Sequence, residues 1–184
     1  AVGYQSMLET TGGNYNTAIG YQSMYRDGGL ANIHNTFIGQ GIANGDWTGT
    51  ASTHNTGMGS GAMQSAMNGA VGNTGLGVDA LNSLTTGNSN VAIGRSAGAA
   101  ITTGGENVLI GTMAGDNLIG GSNNTFVGQQ IGGVTTAGTQ MVGVGHAALN
   151  NGLITADAIG TVAIGVSALT SLTSGIGNIP IHGC

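Results

Sequence analysis

Asn90-Val-Ala-Ile-Gly94, Asn107-Val-Leu-Ile-Gly111 and Asn124-Thr-Phe-Val-Gly128 stand 17 residues apart and carry nearly the same five residues. The unit also appears as Asn16-Thr-Ala-Ile-Gly20, Asn35-Thr-Phe-Ile-Gly39, Asn55-Thr-Gly-Met-Gly59 and Asn73-Thr-Gly-Leu-Gly77. Met141-Val-Gly-Val-Gly145 and Thr161-Val-Ala-Ile-Gly165 keep everything but the Asn. The repeats close at Gly3, Gly20, Gly39, Gly59, Gly77, Gly94, Gly111, Gly128, Gly145 and Gly165, at spacings of 17 to 20 residues. A fixed period of this length marks a repeat architecture, and helical repeats run longer, about 33 to 47 residues. Glycine at this density would also weaken a helix, at about 1 kcal/mol each relative to Ala. The expectation is an all-β parallel β-roll or β-solenoid of about ten coils, spanning residues 1–184 as one repeat segment. Each coil is expected to hold two short strands and two turns. At about 4.8 Å per coil the stack would span roughly 48 Å.

Side chains alternate across a strand. One and three residues before each glycine stand pairs such as Ile19/Thr17, Ile38/Thr36, Ile93/Val91 and Ile110/Val108. They are β-branched and mainly apolar, as a buried strand face prefers. Two before stand Ala18, Phe37, Gly57, Gly75, Ala92, Leu109, Phe126, Gly143 and Ala163, also uncharged. A strand apolar on both faces is covered on both sides, and a thin coil covers only one. The reading therefore puts the Thr/Val-x-Ile face inward and the second face against a copy of the chain. The closing glycine is expected to occupy a backbone conformation costly for other residues, or to allow close backbone approach. After it, Tyr21-Gln-Ser-Met24, Val78-Asp-Ala-Leu81 and Val166-Ser-Ala-Leu169 suggest a return strand with a small and an apolar residue inward. Thr85-Thr-Gly87, Thr102-Thr-Gly104 and Thr173-Ser-Gly175 mark a second turn. The Asn column at Asn16, Asn35, Asn55, Asn73, Asn90, Asn107 and Asn124, with Asn178, is expected to form a ladder of amides stacked coil on coil.

Composition narrows the function classes. Charged residues are 5% of the chain, with Arg26 and Arg95 the only Lys or Arg side chains against seven carboxylates. Phosphate neutralisation needs cations, so nucleic acid is excluded as a partner, and docking on anionic membranes is disfavoured. No apolar run approaches the roughly 20 residues of a membrane span, so direct membrane insertion is not expected. Ala1-Val-Gly-Tyr-Gln-Ser-Met7 matches Ala18-Ile-Gly-Tyr-Gln-Ser-Met24, and Asn178-Ile-Pro-Ile181 reads as another repeat beginning. The expectation is a segment of a longer protein. Cys184 alone sets no disulfide framework.

The Asn-Thr/Val-x-Ile-Gly-x-x-Ala/Ser unit resembles the head repeat of YadA-like trimeric adhesins and the Asn-Thr-Ala-Ile-Gly-Tyr repeats of phage tail-fibre shafts, over essentially the whole chain. The resemblance implies a left-handed parallel β-roll with three chains around one axis, which would cover the second apolar face. The adhesin repeat is shorter than this one, and Gly145 and Gly165 lack the preceding Asn. The function expected is an extracellular structural fibre segment, a virion tail fibre ranked ahead of a bacterial cell surface, with a bacterial trimeric adhesin head or a glycan-binding module using the side loops as alternatives, itself as partner in a homotrimer, and a surface glycan or host receptor as further candidates.

Candidate chemistry is sparse. Gly57-Met-Gly-Ser-Gly61 lacks the Lys-Ser/Thr of a phosphate loop, and the Asp residues do not recur as a calcium repeat requires. His34 and His54 share a repeat position on adjacent coils, where three copies in a trimer could hold a metal. That column also holds Tyr15, Gly72, Ser89, Glu106, Asn123 and Gln140 and reads as an exposed face, so no cofactor is expected. His146 and His182 are isolated, and no carboxylate pair recurs, so an enzyme is not expected. Tyr25, Arg26, Asp46 and Trp47 lie in the longer coils, where aromatic rings beside polar groups could contact a glycan. The Thr residues at 17, 36, 56, 74 and 125 suggest an ice-binding solenoid, with Val at 91, 108, 142 and 162 interrupting the column.

Overall fold

In a computed structural model, residues 1–26, 28–133, 135–150, 159–170 and 177–179 are described. Nine three-residue strands follow in chain order: β1 Thr17–Ile19, β2 Thr36–Ile38, β3 Thr56–Met58, β4 Thr74–Leu76, β5 Val91–Ile93, β6 Val108–Ile110, β7 Thr125–Val127, β8 Val142–Val144 and β9 Val162–Ile164. Each pairs in parallel with the next in one sheet ordered β1 to β9, making a β-solenoid of about eight turns. Register is kept throughout: Val91 lies opposite Val108, Ala92 opposite Leu109 and Ile93 opposite Ile110. The coil closing at Gly3 is joined by a single bridge from Val2 to Ile19. Cys184, His182 and Thr173-Ser-Gly175 lie outside the described residues.

The strand faces are the reverse of the sequence expectation. The middle residue of every strand is buried, and its neighbours on either side are exposed or half-buried. The lumen therefore receives Ala18, Phe37, Leu109 and Phe126, while Ile19, Met58, Ile93, Ile110, Val127, Val144 and Ile164 face out. Parity accounts for the Asn column too. Asn four before the glycine lies on the same strand side as the residue two before it, and Asn35 through Asn124 are fully buried.

The reason lies in the lumen's width. The inward position runs in size from Gly to Phe, and the residue four after the glycine varies against it. Gly57 leaves room for Ile42 and Phe37 of the coil before, Gly75 faces Met63 and Leu81, and Gly143 faces Ile131 and Leu149, whereas Leu109 is matched by Gly115 and Phe126 by Gly132. A Cβ built on Gly132 would lie 2.5 Å from Cε2 of Phe126. A third inward column, Trp47, Met67, Leu84, Ile101 and Leu118, closes the core, and Trp47 packs edge-on against Phe37 at 6.2 Å. Columns of mainly β-branched residues, with Met58 and Leu76 among them, are left for the outer surface.

The expected return strand is a turn. Residues two and four after each closing glycine have positive φ, as at Gln22 and Met24 (51° and 49°) or Asp79 and Leu81 (56° and 51°). Left-handed residues at every second position cannot sustain a strand. Their N–H groups instead bond alternately backward and forward: Gln22 donates to Tyr4 O at 2.9 Å, and Met24 to Ile42 O at 2.9 Å. The closing glycine meets both expectations placed on it. At Gly94 φ is +136°, and a Cβ would come within 2.4 Å of the Gly111 carbonyl oxygen one coil on. At the second turn, Thr85, Thr86 and Gly87 all donate their N–H to Thr102 O.

Candidate functional site

Three side-chain assemblies run along the coil axis. The first is the buried amide ladder. Asn90 donates from Nδ2 to Asn73 Oδ1 and to Gly104 O, each at 2.9 Å. Its Oδ1 accepts from the backbone N of Asn107 at 3.2 Å and from Asn107 Nδ2 at 2.9 Å. An amide has two donors and two acceptor positions, and all four are used. The same pattern joins Asn35 to Asn16, Asn55 to Asn35, Asn73 to Asn55, Asn107 to Asn90 and Asn124 to Asn107. Where the Asn is replaced, the backbone N of Met141 caps Asn124 Oδ1 at 3.0 Å. Each amide thus links the coil before, its own and the coil after.

The second is an exposed aromatic stack. Tyr15 stacks on His34 with ring centroids 5.0 Å apart, and His34 on His54 at 5.0 Å. Both histidines are exposed with positive φ, 58° and 60°, and the same handedness recurs at Ser89, Glu106, Asn123 and Gln140. The His34 and His54 ring planes are 27° apart. Among the described residues, no group of three or more His, Cys, Asp or Glu side chains could hold a metal. Tyr4 and Tyr21 stack likewise, 5.6 Å apart.

The third is an ion-pair bridge across three coils. Arg26 Nε lies 3.4 Å from Glu9 Oε2, and Nη1 lies 2.9 Å from Asp46 Oδ1. The guanidinium also sits over the Tyr25 ring, 5.1 Å from its centroid. Its hydrogen bond and attraction to Asp46 hold its pKa above the ordinary arginine value. An open cleft of about 380 Å³ lies here, lined by Glu9, Thr11, Arg26, Asp46, Trp47 and Thr48 with the backbone of Gly28 and Gly29. Of the four residues expected to meet a glycan, the structure gathers Tyr25, Arg26 and Asp46 on the surface. Trp47 is a correction: it is fully buried, because it belongs to the third inward column, and it walls the cleft instead of projecting from it.

Glu9, Thr11 and Thr48 were missed in the sequence. The signal for Glu9 was its lack of a cationic neighbour other than an Arg one coil away. Elsewhere, burial raises the pKa of Asp116, which lines a shallower polar groove with Asp79 and Asn82. Comparison with known proteins finds no matching family model, curated protein or solved structure.

Proposed function

We propose that this chain is a segment of a rigid extracellular fibre, a tail-fibre shaft in type, assembled from three parallel copies. One observation carries the reading: the outward strand face, with Thr or Val in one column and Ile, Met, Leu or Val in the other, on all nine strands. At about 4.8 Å per strand, the two columns form a straight strip of roughly 40 Å by 10 Å. A strip of about 400 Å² that is apolar along one column and Thr or Val along the other is of the size at which an exposed patch is often functional. The strip runs parallel to the coil axis and repeats at every level, so a copy aligned in parallel meets the same residues at each rung. The number three comes from the resemblance of the repeat to trimeric fibres, and the 17 to 20-residue coil favours the shaft over the shorter adhesin head repeat. The role is then mechanical: inter-coil hydrogen bonds and packed copies resist extension and hold a binding tip at a distance.

Sedimentation equilibrium of the chain tests this, with three times the chain mass expected. Ile110→Glu, on the outward column, is expected to give a folded monomer. A stable wild-type monomer defeats the reading. A second reading is favoured by Thr17, Thr36, Thr56 and Thr74, which face outward on four successive rungs: an ice-binding face, selected if a monomeric wild-type chain inhibits ice recrystallisation.

A further inference from the structure

We propose that the cleft bridged by Arg26 is a binding site for a neutral saccharide, whose vicinal hydroxyls donate to the carboxylates of Glu9 and Asp46. The closing glycines Gly20, Gly39 and Gly59 are 19 and 20 residues apart, against 17 in the regular stretch from Gly77 to Gly145. A cleft of about 380 Å³ lies among the described residues of these coils. That volume lies within the ordinary range of small-ligand sites, about 300 to 1,000 Å³.

The chemistry inside it is specific. Glu9 and Asp46 each engage Arg26 through one carboxylate oxygen, and a carboxylate has about four acceptor positions. The shared guanidinium fixes both carboxylates while their side chains stay 53% and 67% exposed. Two pre-placed anionic acceptors around one cation suit a ligand bearing adjacent hydroxyl donors. The three groups sum to one negative charge, which disfavours an acidic sugar. Thr11 and Thr48 add hydroxyls at the rim. Trp47 lies fully buried behind the cleft, and its indole N–H has no acceptor among the described residues. The inference rests on the fibre reading only for the source of the saccharide, a glycan on the surface that the fibre meets.

Trp47 is the chain's one tryptophan and is buried behind the cleft, so its fluorescence reports on the packing that backs the site. The full chain is titrated with glucose, galactose, mannose and N-acetylglucosamine, with N-acetylneuraminic acid and calcium chloride as separate arms. The expected result is a saturable change with at least one neutral sugar and none with the acidic sugar or calcium. Glu9→Gln and Asp46→Asn should each weaken the response about tenfold, the loss of one charge-assisted hydrogen bond. An unshifted emission maximum in each variant shows that the core around Trp47 is intact. No response to any neutral sugar, an equal response in both variants, or the same change with calcium alone overturns the proposal. A trimer without a sugar response removes this site and leaves the fibre; a responsive monomer does the reverse.

Discussion

Asn90→Ala isolates one rung of the amide ladder. The substitution removes four hydrogen bonds, to Asn73 Oδ1, to Gly104 O, from Asn107 N and from Asn107 Nδ2. At about 1 kcal/mol net each, the bonds alone are worth about 4 kcal/mol, and the orphaned, buried Asn107 N–H groups raise the cost to about 4–6 kcal/mol. Asn16→Ala is the internal comparison. It loses three bonds, to Asn32 O, from Asn35 N and from Asn35 Nδ2, at a half-buried position, for about 2–3 kcal/mol. Calorimetry should then place the Asn90→Ala midpoint about 10–20 °C below wild type, at about 2–4 °C per kcal/mol for a chain of this length. Asn90→Asp keeps the acceptor but turns a carboxylate oxygen toward Asn73 Oδ1 and Gly104 O. Burial raises its folded pKa above the unfolded value, so it should be worse than Ala at neutral pH. Its stability should recover on acidification as the carboxyl binds a proton. A cost under about 1 kcal/mol for Asn90→Ala, or costs alike at Asn90 and Asn16, would refute the ladder as a stabilising element.

Three further outcomes are expected. Gly132→Ala should destabilise by about 2–4 kcal/mol from overpacking against Phe126, and Phe126→Leu should restore part of it; additive costs in a double-mutant cycle would sink the size-matching account. Gly72→His should fold and cost no more than about 1–2 kcal/mol, the ordinary cost of one left-handed residue, because its column already holds left-handed His, Ser, Glu and Asn; circular dichroism melts check it. Asp116→Asn should stabilise at neutral pH. A carboxyl with a raised folded pKa makes the fold lose stability as pH rises from the unfolded pKa to the folded one, so the gain should vanish below the ordinary carboxylate range, as denaturant midpoints across pH would read.

The repeat, the glycine frame and the Asn ladder were legible in the chain because each is a column of one residue type. The orientation of the strand was not. Ile93 and Val91 have the composition of a core, and Ala92 has that of either face. The deciding signal lay in two columns read together: Gly75 with Leu81, Phe126 with Gly132. A lumen of fixed width forces such compensation, and an outer face does not. Trp47 was misplaced for a related reason. Its polar neighbours Asp46 and Thr48 suggested a surface loop, yet it stands eight residues after Gly39, as the buried Met67 stands after Gly59. Alignment by the closing glycine, more than local polarity, is what finds the inside. The bridge of Glu9, Arg26 and Asp46 depends on how coils of unequal length overlay, which spacing alone does not give.

The amide ladder also has a direction. Each Asn Oδ1 is filled only by groups of the following coil, and each Nδ2 sends one hydrogen back and one forward. A chain leaving the ribosome would therefore carry, at every stage, one rung whose oxygen is bare and whose next partner is the coil about to emerge. Synthesis and stacking run the same way, so each completed coil is the template for its successor. Where Met141 replaces the amide, that relay passes its last bond to a backbone N–H and stops.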